Sequence, residues 1–406
     1  MSKHINLYST EGAFATALAN GIDTPNLSYV TETGETYTIP TSAWGVCLPS
    51  DGSTDFSFRG SSDAWRNYKS KIGRYLMYED GRACKLHPSD STKLLDGTIF
   101  DASSGNVMVR VPRLYYLSVT DTSNRTVLWM SEEPFSDRSI GESWIGAYLG
   151  YLSGGKLRSQ RGVNPTRLRT ISQFWTDAQG NGRNWGLADY NHRKLMMMLF
   201  VSEYLSYNSQ AKLGNGMTGD SGNWTSEVQN AVTGATYSLG DSCGKVDYTT
   251  TGANACHVSL FGIEDPYGWL WEMIQGVYFG ASGNSAQNGT EMFIYEGNRM
   301  PSSSELTTRP NGNYRQMARV TSSGWAKLLM GGSEFDVLPK ALGGGSASYL
   351  CDYHYANNTG QLLLWGGAAS NGSNGGLAYS ASNFVWSYSD SSFAARLAYY
   401  GSVKLI

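Results

Sequence analysis

Glu264, Asp265 and Glu272 are the first group in this sequence whose types and spacing could do chemistry. Glycoside hydrolysis needs two carboxylates facing each other across a cleft about 5–10 Å wide. Glu264 with Asp265, or Glu272 nearby, are candidates for that pair. Their setting, GIEDPYGWLWEMIQGV, argues for structure instead, because Asp265 before Pro266 is ordinary turn chemistry. Hard oxygen ligands for calcium can be imagined at Glu264, Asp265 and Asp352. His87, His192, His257 and His354 are scattered, with no metal spacing of the HExxH kind. Cys47, Cys84, Cys243, Cys256 and Cys351 are odd in number and widely spaced, without a CxxC pair. They read as free, mostly buried thiols, with a Cys243–Cys256 bridge as the one local pairing left open. We expect no catalytic residue, no metal and no cofactor.

Recognition is the other chemistry on offer, and it points to residues 366–400, GGAASNGSNGGLAYSASNFVWSYSDSSFAARLAYY. This stretch is built from Gly, Ala, Ser, Asn and Tyr with Phe384, Trp386 and Phe393 set among them, and its only charges are Asp390 and Arg396. A buried strand would be rich in Val, Ile and Leu, and a disordered tail would lack aromatics. The composition resembles that of a binding surface, in which Tyr and Trp give stiff contact area and Ser, Gly and Asn give adaptable hydrogen bonds. A Gly/Ser-rich loop with incidental aromatics is the alternative.

The whole chain excludes several classes. With 31 Lys and Arg against 34 Asp and Glu, it has no basic footprint for nucleic acid. The best apolar run, residues 195–201, is far too short to span a bilayer, so no membrane insertion is expected. The N-terminus MSKHINLYSTEGAF holds no apolar core of a secretory signal, which leads us to expect synthesis in a reducing cytosol.

The elements that must position such a surface can be read in order. Residues 1–45 read as a small N-terminal unit for attachment or oligomerisation: a short helix over 13–19, then a hairpin over 26–39 in which NLSYV and TYTI flank TETGE. It is too small to hold a core of its own and must pack on something larger. NVMVRVPRLYYLSV (106–119) is the strongest strand, broken by Pro112 at an edge or bulge, and TVLWM (126–130) pairs with it. Helices are expected over 168–178 and 189–207, the second apolar all round at its centre and therefore buried on more than one face. Its Met196–Met198 triple reads as flexible core filler. Residues 214–254 and 280–323 read as long insertions. A turn at 265–268 leads into an aromatic strand through Trp269 and Trp271, and QLLLW gives a further strand. Strands and helices are segregated rather than alternating, which predicts α+β.

Four segments in this order resemble a known family: IGAYLGYLSGGKLRSQRGVNP, NWGLADYNHRKLMMMLFVSEYLSYNSQ, GIEDPYGWLWEMIQGV and the Gly-Ser-Asn run ending at Gly376. The succession is similar to the C-type-lectin-like fold of the formylglycine-generating-enzyme group, and within it to phage tail proteins and retroelement-diversified variable proteins of the major-tropism-determinant type. The likeness spans roughly residues 60–406. It implies a lectin-like main domain, 46–406, whose final strands display a ligand surface. It assigns the variable segment to about 368–394 and ligand contact to Tyr379, Ser380, Ser382, Trp386, Tyr388, Asp390 and Ser392. Arg396 and Leu397 fall on its framework side. Adenine-directed mutation of Asn codons yields Asn, Ser, Tyr, Asp, Gly and Ala, the residues that dominate this tail. Trp386 departs from the pattern, since that route does not reach Trp.

The family's oxidases need a cysteine pair near the C-terminal end, and no Cys follows Cys351. The sugar-binding EPN and QPD triplets of calcium-dependent lectins are missing too. The resulting expectation is a phage tail receptor-binding protein, a homotrimer in the virion, made in the host cytoplasm and not an enzyme. Its partners would be a host-surface glycan or protein and other tail proteins. Tyr379, Trp386 and Tyr388 would present their rings on one exposed face. A glycan-degrading tail enzyme and a bacterial surface adhesin are the alternatives.

Overall fold

Pro112 decides how two of the sheets are joined. A proline has no N–H to give a ladder, and in the computed structural model the strong apolar run splits there. Asn106–Val111 enters an eight-stranded sheet, and Leu114–Thr120 enters a five-stranded one. The proline thus stands at a corner between sheets, with its carbonyl accepting from Tyr68 Oη at 2.8 Å. The structure describes residues 27–30, 36–49, 54–120, 126–248, 254–279, 291–296, 314–357 and 360–406.

The molecule is mixed α and β, with strands dominating. In the five-stranded sheet, Thr126–Ser131 lies between Leu114–Thr120 and Trp44–Leu48. The expected hairpin forms, Leu27 opposite Ile39, and Ile39 and Ala43 pack with Leu117, Val127 and Trp129. The described end of this segment, Ile39 and Ala43, therefore packs on the five-stranded sheet. Trp44–Leu48 runs across residue 45 as one continuous buried strand. The helix expected over 13–19 lies outside the described residues.

Helix α1, Ser62–Ser70, is capped by the Ser61 hydroxyl, which accepts from Ala64 N. Helix α2, Ile171–Gln179, begins three residues later than its apolar pattern suggests. Thr170 closes a capping box with Gln173, which fixes the first turn beyond Leu168. Helix α3, Tyr190–Tyr204, is capped by Asp189 and buried from His192 to Ser202. Met196, Met197 and Met198 are fully enclosed, as core filler should be.

The two expected insertions turn out differently. Residues 214–248 pack closely against the body: Thr233 Oγ1 donates to Gln160 O at 2.6 Å and Val228 O accepts from Trp269 Nε1 at 3.1 Å. The buried Arg74 also donates to Thr236 Oγ1 at 2.8 Å and to Gly262 O at 2.7 Å. The segment is tied to the body at several points, and its low periodicity reflects short turns. Of 280–323, residues 280–290 and 297–313 lie outside the described set. Glu291–Tyr295 and Tyr314–Ala318 form a three-stranded sheet with Val277–Phe279.

A seven-stranded sheet carries the C-terminal stretch. Its order is Asp336–Leu342, Gly324–Gly331, Tyr353–Ala356, Ser380–Phe384, Leu362–Trp365, Trp271–Ile274 and Phe393–Ala394. Arg396–Tyr399 then crosses into the eight-stranded sheet beside Ser143–Leu149. No helix among the described residues is long and apolar enough to cross a membrane.

Candidate functional site

Beneath the C-terminal stretch lies a buried ion group. Glu272 comes from Trp271–Ile274, the strand next to the sheet's edge, Arg193 from α3 and Arg396 from the crossing strand, and all three are at most 1% exposed. Arg396 Nε and Nη2 reach the two Glu272 oxygens at 3.0 and 2.9 Å, and Arg193 Nη2 reaches Oε2 at 2.6 Å. The remaining Arg396 donors go to the carbonyls of Gly146, Ala147, Glu264 and Asp265. Burial pushes the Glu272 carboxyl up, but the two guanidinium groups outweigh it and hold it below its usual value. Such a group stitches helix and sheets together because each charge is stranded without the others.

Above this frame, residues 366–376 are tied down. Gly366 and Gly367 adopt φ of +89° and +83°, and a Cβ on Gly367 would stand 2.5 Å from Tyr379 Cδ1. Asn371 Oδ1 accepts from Ala368 N at 2.6 Å, and Gly372 N donates to Thr218 Oγ1 at 2.5 Å. A Cβ on Gly376 would run into the Asp352 carboxylate. These glycines serve close packing rather than display.

Three of the seven expected contact residues are interior, which corrects the expectation for them. Tyr379 and Ser380 have no exposed surface and Ser382 has 1%. The physical reason is the strand's position. Ser380–Phe384 has Tyr353–Ala356 on one side and Leu362–Trp365 on the other, and both of its faces are covered. Ser380 Oγ lies 2.8 Å from the buried His354 Nδ1. The Tyr379 ring lies 4.4 Å from that of Trp271 and touches Tyr355 and Tyr353. It therefore does not share an exposed face with Trp386 and Tyr388.

The other four come together where the strand ends. Val385 and Tyr388 are each 40% exposed, and Tyr388 N donates to Val385 O at 3.0 Å, closing a turn. The Tyr388 ring stacks on Phe384 at 4.8 Å, with Phe393 5.0 and 5.7 Å from the two rings. Trp386 is half-buried, its ring 5.9 Å from Tyr278. Asp390 Oδ1 accepts from Ser392 N at 2.8 Å and Oγ at 2.7 Å, fixing the return. The result is a stiff aromatic tip of largely uncharged character. Sequence reasoning missed Val385, and it missed Leu168, whose N–H donates to Asp390 O at 3.1 Å. A lone leucine between two arginines was the only signal for the second.

The acidic candidates are elsewhere and fully engaged. Glu264 accepts from Gly234 N, Thr236 N and Thr236 Oγ1 at 2.6–2.7 Å. Asp265 Oδ2 lies 2.6 Å from His257 Nδ1, and Oδ1 accepts from Val258 N. Burial alone would lower the His257 pKa, but the Asp265 carboxylate and its hydrogen bond raise it to about 9. The possible ligand atoms of His257, Glu264 and Asp265 lie within 4.8 Å of one another, yet a cation there would face N–H donors already seated on the oxygens. The set does not fit a metal. Asp352 is likewise buried, accepting from Ala378 N at 2.6 Å, and burial lifts its pKa to about 7. All five cysteines are free thiols, with Cys47, Cys256 and Cys351 buried.

No protein-family model matches the sequence, and no curated protein does. Among solved structures the chain is similar to a major tropism determinant, the U1 variant, with 13% sequence identity over 81% of this chain and 71% of that one, at a TM-score of 0.31. A likeness of that size carries no argument about function, which has to be read from the residues themselves.

Proposed function

We propose that this chain is a phage tail receptor-binding protein that attaches to a host-surface ligand through the tip formed by Val385, Trp386, Tyr388, Asp390 and Ser392. The observation that carries this is the tip itself: the exposed Tyr388 ring and the half-buried Trp386 ring, held by a turn and by ring contacts on a frame locked by buried ions. Aromatic groups held rigid in advance lose little entropy on binding, which is what anchors of an interface need. The four motifs in family order, with their lectin-like implication, support the same reading. Buried, hydrogen-bonded carboxylates at Glu264 and Asp265 favour a binder over an enzyme. A homotrimer would suit it, because three weak sites on one frame raise apparent affinity by about 10²–10⁴.

Binding of labelled full-length protein to bacterial cells, parent against Trp386→Ala, tests the reading. Loss of about 2 kcal/mol or more with the fold retained is expected. Unchanged binding would count against the tip. Release of reducing sugar from host glycan, abolished in Glu264→Gln, would instead establish the enzyme, and a monomeric mass by light scattering at micromolar concentration would reject the trimer.

A further inference from the structure

The Trp386 ring is held from outside the C-terminal stretch, by the three-stranded sheet of Val277–Phe279, Glu291–Tyr295 and Tyr314–Ala318. Successive residues of a strand face opposite sides. Val277, Phe279, Met292 and Ile294 enter the main core, which leaves Tyr278, Tyr295 and Tyr314 on the other face. Their rings form a chain. Tyr295 is opposite Tyr314, with ring centroids 5.2 Å apart, and Tyr314 meets Tyr278 edge-on at 5.4 Å. Tyr278, itself buried, meets Trp386 edge-on at 5.9 Å. The far end of the chain is fixed by backbone. Tyr295 N donates to Gly276 O at 2.8 Å, and a Cβ on Gly276 would stand 3.2 Å from Tyr295 Cβ. Edge-on ring pairs prefer particular orientations, so a fixed ring biases the plane of its neighbour.

The same sheet also reaches the strand that leads to the tip. Arg319 follows Tyr314–Ala318 and lies over the Phe279 ring, its Cζ 4.4 Å from the centroid. Its Nη2 donates to Asn357 O at 2.7 Å, and its Nη1 lies 3.5 Å from Ser382 O. Asn357 and Ser382 stand where the two neighbouring parallel strands part. One small sheet thus touches the backbone just before the tip and the indole within it.

We propose that this sheet is the positioning element of the tip, with Tyr278 setting the plane of the Trp386 ring before any ligand arrives. This rests on the reading of the tip given above and deepens it. Tyr278 is a positioning residue rather than a contact, because it is buried while the half-buried Trp386 keeps surface to offer. A tryptophan ring that is free to rotate must be frozen on binding, and that freezing lowers affinity.

A double-mutant cycle on the full-length protein tests this, read as binding to bacteria that the parent binds, with melting curves beside it. Tyr278→Leu should lower affinity about fivefold in the parent and cause no further loss in Trp386→Ala. Tyr278→Phe keeps the ring and should bind as the parent does. Equal losses from Tyr278→Leu in both backgrounds would overturn the proposal, because Tyr278 would then act on the fold and not through Trp386. Should Tyr278→Leu fail to fold, Tyr314→Leu removes the half-buried ring that braces Tyr278. It should show a smaller loss with the same dependence on Trp386, and equal losses in both backgrounds would again overturn the proposal. The two readings fail separately. If Trp386→Ala alone binds as the parent does, the tip fails; if it loses binding while Tyr278→Leu does not, only the positioning fails.

Discussion

The two halves of the C-terminal stretch are made of the same residue types and have opposite fates. Residues 366–382 are mostly packed into the molecule, with Ser370 and Ser373 at its surface, while 384–392 are half-buried to exposed and form a tip. The cause lies in the partners. Ser382 is still opposite Ala356, and Phe384 is opposite Leu362, but both neighbouring strands end there. Beyond Phe384 no ladder remains, so the chain must turn, and the Val385–Tyr388 and Asp390–Ser392 hydrogen bonds set the turn. Whether a Tyr or Ser is displayed is thus decided by where neighbouring strands stop. The tip is stiff because the packed half and the ion group beneath it are stiff.

The largest test of that dependence is Glu272→Gln, which leaves Arg193 and Arg396 buried without their counter-charge. Breaking a buried ion group by removing one partner costs about 3–5 kcal/mol, so urea unfolding should shift strongly and binding should fall with it. A loss under about 1 kcal/mol would mean that the frame does not hold the tip.

Next comes Tyr379, in the packed half. Tyr379→Ala removes a ring enclosed against Trp271 and Tyr355 and should cost about 3–5 kcal/mol. Tyr379→Phe should leave binding unchanged. A well-folded Tyr379→Phe protein that no longer binds would erase the distinction between the halves.

Acid should act on the packed half through His354. Burial depresses its pKa to about 4, from an ordinary value near 6.5. The unfolded chain then binds a proton that the folded chain refuses. Stability from this group is present above pH about 6.5 and is lost as pH falls toward 4, by up to about 3 kcal/mol. His354→Gln should flatten that part of the pH–stability curve, and a curve identical to the parent's would show that the histidine is not the source.

How much of this was legible depends on whether the signal is local. The hairpin in which Leu27 faces Ile39, the all-round burial of α3 and the QLLLW strand follow from periodicity and turn residues that the chain carries locally. Pro112 announced a break, but which two sheets it joins depends on distant partners. Residues 214–248 looked loose because their order comes from side chains such as Arg74 and Glu264, which lie far away in sequence. Trp386, Tyr388, Asp390 and Ser392, proposed for the tip, were singled out by composition and family likeness. Tyr379, Ser380 and Ser382 are misplaced by the same reasoning, since composition does not register a covering strand. The apolar pattern draws Leu168 into a helix, because it starts earlier than the capping box at Thr170 allows.

Tyr388 offers the most direct measurement. Its ring is exposed on one side and stacked on Phe384 on the other, so Tyr388→Ala should change stability by no more than about 1 kcal/mol. Equilibrium binding of the full-length variant to host cells, beside its melting curve, should then show an affinity loss of at least about tenfold with a nearly parental melting temperature. Parental affinity from a parental fold would contradict the claim that this tip is the attachment surface.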